Sequence, residues 1–327
     1  MGGFLLRRFV NYLVLVLLAA CVGYFLAASS LDPRARFEER NPPPPPAVVD
    51  RALYELNLND KTPVVVRFAT WISGVARGDF GKTVDGDPVA AEMGRRMGVS
   101  LRLLLLGSIL GGLFGVLAGV VSAVKQHKLT DYSLTLISFV VLSTPVFLLA
   151  VLLKVGGLQV NQTVGMTIFY NTGEFTPGLS GAWWQLAVDR VQHLALPTLA
   201  VVLPGVAFYS RYQRSAMLDV LGSDFLRTAQ AKGLRYRRAL LRHGLRIALV
   251  PMATFFAYQF GLLLVGAAFT EKIFAWHGMG EWFIDSVTTS DVNVVAAVTL
   301  FAAVLVLIAG LLADLAYAAL DPRVRVR

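Results

Sequence analysis

The amino-acid sequence predicts an all-α integral membrane protein with six transmembrane helices and a small folded cap between the first two. Of its 327 residues, 56% are hydrophobic and only 16% are charged, and the mean hydropathy is +0.61. This composition is typical of a multi-spanning membrane protein and not of a soluble one. A bilayer core about 30 Å thick requires roughly 20 apolar helical residues, and six runs meet this need. They are Phe9–Ala28, Leu103–Val124, Tyr132–Leu153, Leu194–Ser210, Ile247–Thr270 and Val292–Leu320.

The basic residues of the short connecting segments predict the orientation in the membrane. Nine Lys or Arg residues lie between Arg211 and Arg246, and the other basic clusters lie before the first run, between the second and third runs, and at the end. Because basic residues concentrate in short cytosolic loops, both termini and the 211–246 loop are predicted to be cytosolic. The net charge of +9 therefore needs no nucleic acid partner, and the sequence carries no nucleic-acid-binding motif.

The chain is predicted to divide into four parts. These are an N-terminal transmembrane helix (1–30), an extracytoplasmic segment (31–97), a five-helix core (98–320) with the cytosolic loop 211–246, and a basic cytosolic tail (321–327).

The extracytoplasmic segment contains a proline tract, Pro42–Pro46, which favours a stiff extended spacer. The tract is interpreted either as a recognition site for a partner or as a spacer alone. Short amphipathic helices are expected at Val48–Leu58 and Val64–Val75, and turns are expected at Gly78–Asp87.

Small residues and prolines recur within the predicted spans. Gly107, Gly111, Gly115 and Gly119 form a stripe that lets a second helix approach closely, either as static packing or as a moving contact. Proline removes a backbone donor and clashes with the preceding turn, so kinks are predicted where it lies inside a span. Such kinks occur where transporter helices move or line a cavity, but they can also serve packing alone. The candidate kinks are Pro145, Pro197, Pro204 and Pro251.

The polar stretch Ser223–Pro251 is too long and too ordered in pattern for a simple turn. A helix is predicted from Asp224 to Lys232, with Ser223 as the N-cap and Gly233 as a left-handed stop. A generic basic patch for anionic lipid needs no capped helix, so this pattern favours docking of a protein.

Several kinds of chemistry are missing from the sequence. It has one cysteine, four scattered histidines, no metal-binding motif, no phosphate-binding loop and no nucleophile motif, so neither a cofactor site nor a catalytic site is predicted. An ion-driven carrier needs ionisable groups inside its spans, whereas Arg102, Lys154 and Asp314 are expected near span ends. Energy is therefore expected to enter at the cytosolic stretch.

The run FLRTAQAKG at Phe225–Gly233 resembles the EAA loop of bacterial ABC importer permeases, in its peptide-importer form. Arg227 and Thr228 stand where the general pattern has Glu and Ala, and Ile247 stands where Asn is usual. Further similarities to oligopeptide and dipeptide permease B subunits lie at Arg77–Gly81, Arg214–Leu218, Arg242–Pro251, Glu271–Gly280 and Ala319–Arg323. The main departures are the proline tract and a polar insert at 161–181.

This resemblance implies the type I ABC importer permease fold and a role as a non-catalytic, multi-pass subunit in the bacterial cytoplasmic membrane. It implies import of oligopeptides or dipeptides together with a second homologous permease, two cytosolic ATPase subunits that bind ATP and Mg²⁺, and an extracytoplasmic peptide-binding lipoprotein. No cofactor or metal on this chain is implied. The residues expected to couple to the ATPase are Asp224, Phe225, Leu226, Arg227, Thr228, Ala229, Ala231, Lys232 and Gly233.

Within that coupling helix, Phe225, Leu226 and Ala229 are expected to give apolar contact to the ATPase, and Arg227 and Lys232 to add charge. Other substrates in the same family, glutathione or a nickel complex, remain open. From other classes, an ion-coupled secondary carrier and a membrane scaffold or sensor are the alternatives.

Overall fold

The computed structural model describes residues 2–39 and 41–320, and the described chain is built of α-helices. The long helices are α1 (Gly2–Ser30), α5 (Val89–Val124), α7 (Val146–Val164), α8 (Trp183–Leu221), α12 (Val250–Phe274) and α14 (Val292–Leu320). The shorter ones are α2 (Ala35–Glu38), α3 (Pro46–Glu55), α4 (Val64–Val75), α6 (Leu129–Ser143), α9 (Asp224–Ala231), α10 (Tyr236–Ala239), α11 (Leu245–Ala248) and α13 (Met279–Thr288). A π-helical turn, Leu240–Gly244, lies between α10 and α11.

Among the described residues, five helical segments are long and apolar enough to cross a membrane. They are Arg8–Glu38, Val89–Val124, Val146–Val164, Trp183–Leu221 and Val292–Ala316. The predicted span Ile247–Thr270 coincides with α12, but many of its side chains lie outside the described part of the chain. The sixth crossing therefore stays a prediction, and so does the basic tail at 321–327, which is not among the described residues.

Helix α8 is much longer than the span predicted within it. Its 39 residues extend about 58 Å at about 1.5 Å per residue, nearly twice the thickness of a bilayer core. The polar residues around Arg211 and Arg214, which mark the predicted loop, therefore continue the same helix. Hydropathy shows where a helix meets lipid, and it does not show where that helix ends.

The predicted third span, Tyr132–Leu153, is wrong in one respect, because it is broken. Helix α6 ends at Ser143, and Thr144 takes an extended conformation (φ −90°, ψ 123°) before Pro145. The residue before a proline is pushed out of the α region by a clash with the proline ring. Pro145 therefore marks a break and not a kink, and Lys154 lies inside α7 with its Nζ donating to the Ile273 carbonyl at 2.6 Å.

The other prolines also differ in their surroundings. Pro197 and Pro204 lie inside α8, which continues through both, so any bend at them stays a prediction. Pro251 lies in the first turn of α12, where no intrahelical donor is needed. The expected kink at Pro251 is therefore a helix start.

Packing divides the chain into two compact units. Among the described residues, one contains 2–39, 41–101 and His277–Leu307, and the other contains Arg102–Trp276 with 308–320.

The first unit contains a small folded module between α1 and α5. Helix α4 begins and ends where predicted, and the predicted helix at Val48–Leu58 begins two residues earlier, because Pro46 opens α3. The turns predicted at Gly78–Asp87 are present. The buried core of this module combines α1, the short helices and the start of α14, with Tyr24, Phe37, Leu53, Leu58, Trp71 and Val292 at its centre. The side of the membrane on which the module lies stays a prediction.

Asp291 connects a turn of this module to the start of α14 through hydrogen bonds. Its carboxylate accepts the Val84 N–H at 2.8 Å and the Val294 N–H at 3.2 Å. The second bond is an N-cap, since it meets one of the unpaired donors of the first helical turn. Asp291 is 4% exposed, and burial raises the pKa of its carboxyl above the usual range.

In the second unit, the glycine stripe of α5 packs against α8. A Cβ at Gly111 would lie 3.4 Å from the Gly205 Cα. A Cβ at Gly115 would lie 2.5 Å from the Tyr209 Cβ, and one at Gly119 would lie 2.6 Å from the Ser210 carbonyl oxygen. Real Cβ atoms essentially never come within 3.0 Å of such neighbours, so glycine is needed at positions 115 and 119 for this close packing. Whether the packed contact also moves stays a prediction.

Candidate functional site

The predicted cytosolic helix is present as α9, and its start differs from expectation. Ser223 occupies the N-cap position with extended backbone angles, but its hydroxyl makes no cap hydrogen bond. The hydroxyl donates instead to the Val220 carbonyl at 2.6 Å, at the end of α8. The predicted N-cap position of Ser223 is therefore confirmed, but its hydroxyl bonds to the end of α8 and not to the first turn of α9.

The end of α9 agrees with the sequence. Gly233 has φ +89°, and its N–H donates to the Gln230 carbonyl at 2.9 Å, while the Leu234 N–H donates to the Ala229 carbonyl at 3.3 Å. These two bonds form a Schellman motif, in which a left-handed residue lets the chain turn away while the last carbonyls stay paired. The predicted glycine stop is confirmed.

One side of α9 faces the protein itself. Leu226 is 2% exposed and packs in a cluster with Met217 and Val220 of α8 and with Leu240, and Ala229 packs against the same cluster. The expectation that Leu226 gives apolar contact to a partner is therefore wrong, whereas Ala229 is only partly buried and its contact with a partner stays a prediction. An amphipathic helix buries its apolar stripe in the nearest core, and in α9 that core belongs to this chain.

The other side of α9 is exposed. Phe225 is 39% exposed. Asp224 is the only acidic residue of the helix, and its Oδ1 lies 3.7 Å from Nη1 of Arg227. The Thr228 hydroxyl donates to the Asp224 carbonyl at 2.9 Å, so it is not a free donor. The expected coupling residues that remain available on the outside are Asp224, Phe225, Arg227, Thr228, Ala231 and Lys232.

A cleft of about 630 Å³ lies between α9 and the chain that follows it. One wall is formed by Phe225, Thr228, Ala229, Lys232 and Leu234, and the other by Arg242, His243, Arg246 and Ile247. We call it the basic cleft, because its lining contains two arginines, a lysine and a histidine and no acidic residue. The sequence predicted the first wall and gave no reason to expect a second one opposite it.

The second wall owes its position to the π-helical turn Leu240–Gly244. A Cβ at Gly244 would lie 3.0 Å from Val220 Cγ1, so glycine lets this turn pack closely against α8. A π-turn inserts an extra residue and re-aims the side chains beyond it. The side chains of Arg242 and His243 lie within this turn.

Sequence reasoning missed an ion pair in the same unit. Asp131 of α6 is 2% exposed and is bound by Arg214 of α8, with Nε–Oδ1 at 2.7 Å and Nη2–Oδ2 at 2.8 Å. Ser122 of α5 also donates to Asp131, and so does the His127 N–H, at 3.1 Å. The sequence shows Asp131 near Lys125 and Lys128, but it gives no sign of the pairing with Arg214, 83 positions away.

Within residues 2–39 and 41–320, no cluster of three or more His, Cys, Asp or Glu side chains could hold a metal ion.

Comparison with known proteins assigns the chain to a family. Residues 115–326 match the family described as binding-protein-dependent transport system inner membrane component. The chain is 52% identical over 326 residues to the oligopeptide transport system permease protein OppB of Mycobacterium tuberculosis, with 100% of both chains covered.

Two more distant relatives carry similar descriptions. The chain is 32% identical to the oligopeptide transport system permease protein AppB of Bacillus subtilis, with 99% of each chain covered. It is 34% identical to the dipeptide transport system permease protein DppB of Escherichia coli, with 84% of each chain covered. Because the family match spans most of the membrane-embedded helices and the relatives align over nearly the whole length, the chain belongs to the inner membrane components of binding-protein-dependent transport systems.

Proposed function

We propose that this chain is the permease subunit of an ATP-driven importer of short peptides, oligopeptides or dipeptides. The support is the full-length similarity to permeases named for those substrates. The chain itself supplies the path and the coupling surface, and it binds no cofactor.

The observation that carries the coupling part of the proposal is the two-sided character of α9. Its inner side is held by Leu226 against Met217 and Val220 of α8, and its outer side presents Phe225 and the charges of Arg227 and Lys232. A movement of a cytosolic ATPase subunit that binds the outer side of α9 is therefore passed to α8 through the contacts of Leu226. Domain closures are transmitted by rigid elements of this kind.

The remaining parts of the assembly follow from the proposed topology. Six spans place both termini in the cytosol, and the α2–α4 module faces the exterior, where a peptide-binding lipoprotein docks. A second homologous permease completes the path, and two ATPase subunits hold ATP and Mg²⁺. Pro197 and Pro204, which leave gaps in the hydrogen bonds of α8, are the positions where α8 bends during alternating access.

Uptake in cells that lack their own peptide importers tests this function. The chain is expressed with its partner permease, ATPases and binding protein, and entry of labelled dipeptides and pentapeptides is measured. Uptake is expected with active ATPases and is expected to vanish when ATP hydrolysis is blocked by mutation of those subunits. Peptide uptake that survives the block would identify an ion-coupled carrier, and uptake of glutathione or nickel alone would reject peptides as the substrate.

A further inference from the structure

The cytosolic stretch around the basic cleft is strongly unbalanced in charge. Residues 223–251 contain seven Lys or Arg residues and a single acidic residue, Asp224. Asp224 is 96% exposed at its side chain and lies beside Arg227, outside the lining of the cleft. Lys232 and Arg242, one on each wall, make no ion pair with any residue that the structure describes.

The basic cleft also has an apolar part. Phe225 is 39% exposed and Ile247 is 49% exposed, and both line the cleft together with Leu234. A volume of about 630 Å³ exceeds the needs of one inorganic ion and falls within the range of about 300–1,000 Å³ that is typical of ligand pockets. Walls that present both cationic and apolar side chains are complementary to a segment that carries both carboxylates and an apolar side chain.

We propose that the basic cleft receives an acidic segment of the ATPase subunit, with Asp or Glu side chains against Lys232 and Arg242 and an apolar side chain against Phe225 and Ile247. This proposal rests on the proposed function, because it assumes that the ATPase docks on α9. The groove of the ATPase then covers the exposed face of α9, and an acidic segment of the same subunit enters the adjoining cleft.

Two observations favour a protein segment over an anionic lipid headgroup. Attraction of basic segments to anionic lipid needs charge near the membrane surface and no enclosed shape, whereas both walls of this cleft are fixed, one by the Schellman motif at Gly233 and one by the π-turn at Leu240–Gly244. Phe225 and Thr228 also belong both to the exposed face of α9 and to the cleft lining. The cleft is therefore continuous with the surface on which the ATPase is proposed to dock.

Charge reversal on the two walls tests the proposal. Lys232→Glu and Arg242→Glu are compared with Arg237→Glu, an exposed basic residue of α10 that does not line the cleft. The assembled complex is captured on a tag on this chain, and the retained ATPase is measured against NaCl concentration. Each cleft variant is expected to weaken retention about tenfold or more, as for close charge pairs at an interface. The Arg237→Glu variant is expected to match the wild type.

The choice of lipid distinguishes a protein source of the negative charge from a lipid source. The measurement is made in nanodiscs of phosphatidylcholine alone and in nanodiscs containing phosphatidylglycerol. If the cleft binds protein, the effect of charge reversal persists in phosphatidylcholine. If it vanishes there, a lipid headgroup occupies the cleft and the proposal is overturned.

Chemical crosslinking identifies the occupant. His243→Cys is introduced into a Cys21→Ser background and linked to neighbouring groups with a short thiol-reactive photocrosslinker. The expected product joins Cys at this position to an ATPase peptide that contains Asp or Glu. A crosslinked product with a neutral or basic ATPase peptide overturns the proposal. Equal retention of the ATPase by all three charge variants overturns it too. In both cases the proposed coupling role of α9 is unaffected. If the wild-type chain retains no ATPase at all, the proposed function fails and the cleft proposal fails with it.

Discussion

Arg214 of α8 binds Asp131 of α6 through two hydrogen bonds, with Nε–Oδ1 at 2.7 Å and Nη2–Oδ2 at 2.8 Å. The carboxylate is 2% exposed and also accepts from Ser122 of α5 and from the His127 N–H. One buried charge therefore ties three helices and a connecting turn together. Two parallel bonds to a planar guanidinium fix the orientation of the helices as well as their distance.

Removing the guanidinium is expected to destabilise the chain strongly, because it leaves a buried carboxylate without its counter-charge. Arg214→Ala should lower the free energy of unfolding by about 3 kcal/mol, at the low end for a broken buried pair because Arg214 is partly exposed. Thermal unfolding of the purified protein in detergent measures the loss. The double variant Asp131→Asn with Arg214→Ala should recover part of it, and an equal or greater loss in the double variant would show that the pair contributes only through packing.

The two faces of α9 should respond differently to truncation. Leu226→Ala removes a buried side chain from the cluster with Met217 and Val220, and such changes cost about 2–5 kcal/mol. Phe225→Ala changes an exposed residue and should leave the thermal midpoint within the range of ordinary surface substitutions, while retention of the ATPase falls. If Leu226→Ala leaves stability unchanged, the inward orientation of this residue is wrong.

The left-handed stop at Gly233 should not tolerate proline. Its φ of +89° is closed to proline, whose ring fixes φ near −65°, and its N–H is needed by the Gln230 carbonyl. Gly233→Pro is therefore expected to leave the chain in the membrane but to remove the ATPase from it on co-purification. Gly222→Ala is the matched control, since Gly222 has φ −82° and a Cβ there would meet only ordinary contacts at 3.9 Å. Loss of the ATPase in both variants would point to a general disturbance of the loop.

Local backbone rules predicted much of this molecule because they act over a few residues. The position of α4, the stop at Gly233 and the packing role of the stripe Gly107–Gly119 all depend on near neighbours or on a strict repeat. Pro145 shows the limit of the same rules, since a hydropathy window averages across the residue that breaks the helix.

Other features depend on residues far apart in the chain and could not be predicted from one sequence. Leu226 faces inward because α8 and the turn after α9 fold back around it, which a helical wheel of α9 alone does not contain. The pairing of Asp131 with Arg214 joins residues 83 positions apart. The second wall of the basic cleft depends on a π-turn, which has no clear sequence signal.

The glycine stripe should distinguish positions that face α8 from those that do not. A Cβ at Gly115 would lie 2.5 Å from the Tyr209 Cβ, whereas one at the neighbouring Gly112 would have only a contact at 4.0 Å. Gly115→Ala is therefore expected to cost about 1–3 kcal/mol through overpacking. Gly112→Ala should be neutral or slightly stabilising, because alanine favours the helix. Unfolding of the two variants by heat in the same detergent checks the difference, and equal midpoints would contradict the close approach.

Asp291 should make stability depend on pH in the opposite sense to a salt-bridged acid. Burial raises its pKa in the folded state above the value of about 3.9 expected in an unfolded chain, so the folded state holds its proton more tightly. The contribution of Asp291 to stability is therefore greatest below about pH 4, falls as the pH rises to the folded-state pKa, and is constant above it.

Asp291→Asn removes this dependence and keeps one acceptor for the Val84 or Val294 N–H. The unfolding midpoints of the wild type and of Asp291→Asn are measured from pH 4 to pH 8. In their difference, the effects of the other carboxylates cancel. The difference should shift in favour of the variant as the pH rises, and a shift in favour of the wild type would show that the two N–H donors outweigh burial and lower the pKa of Asp291.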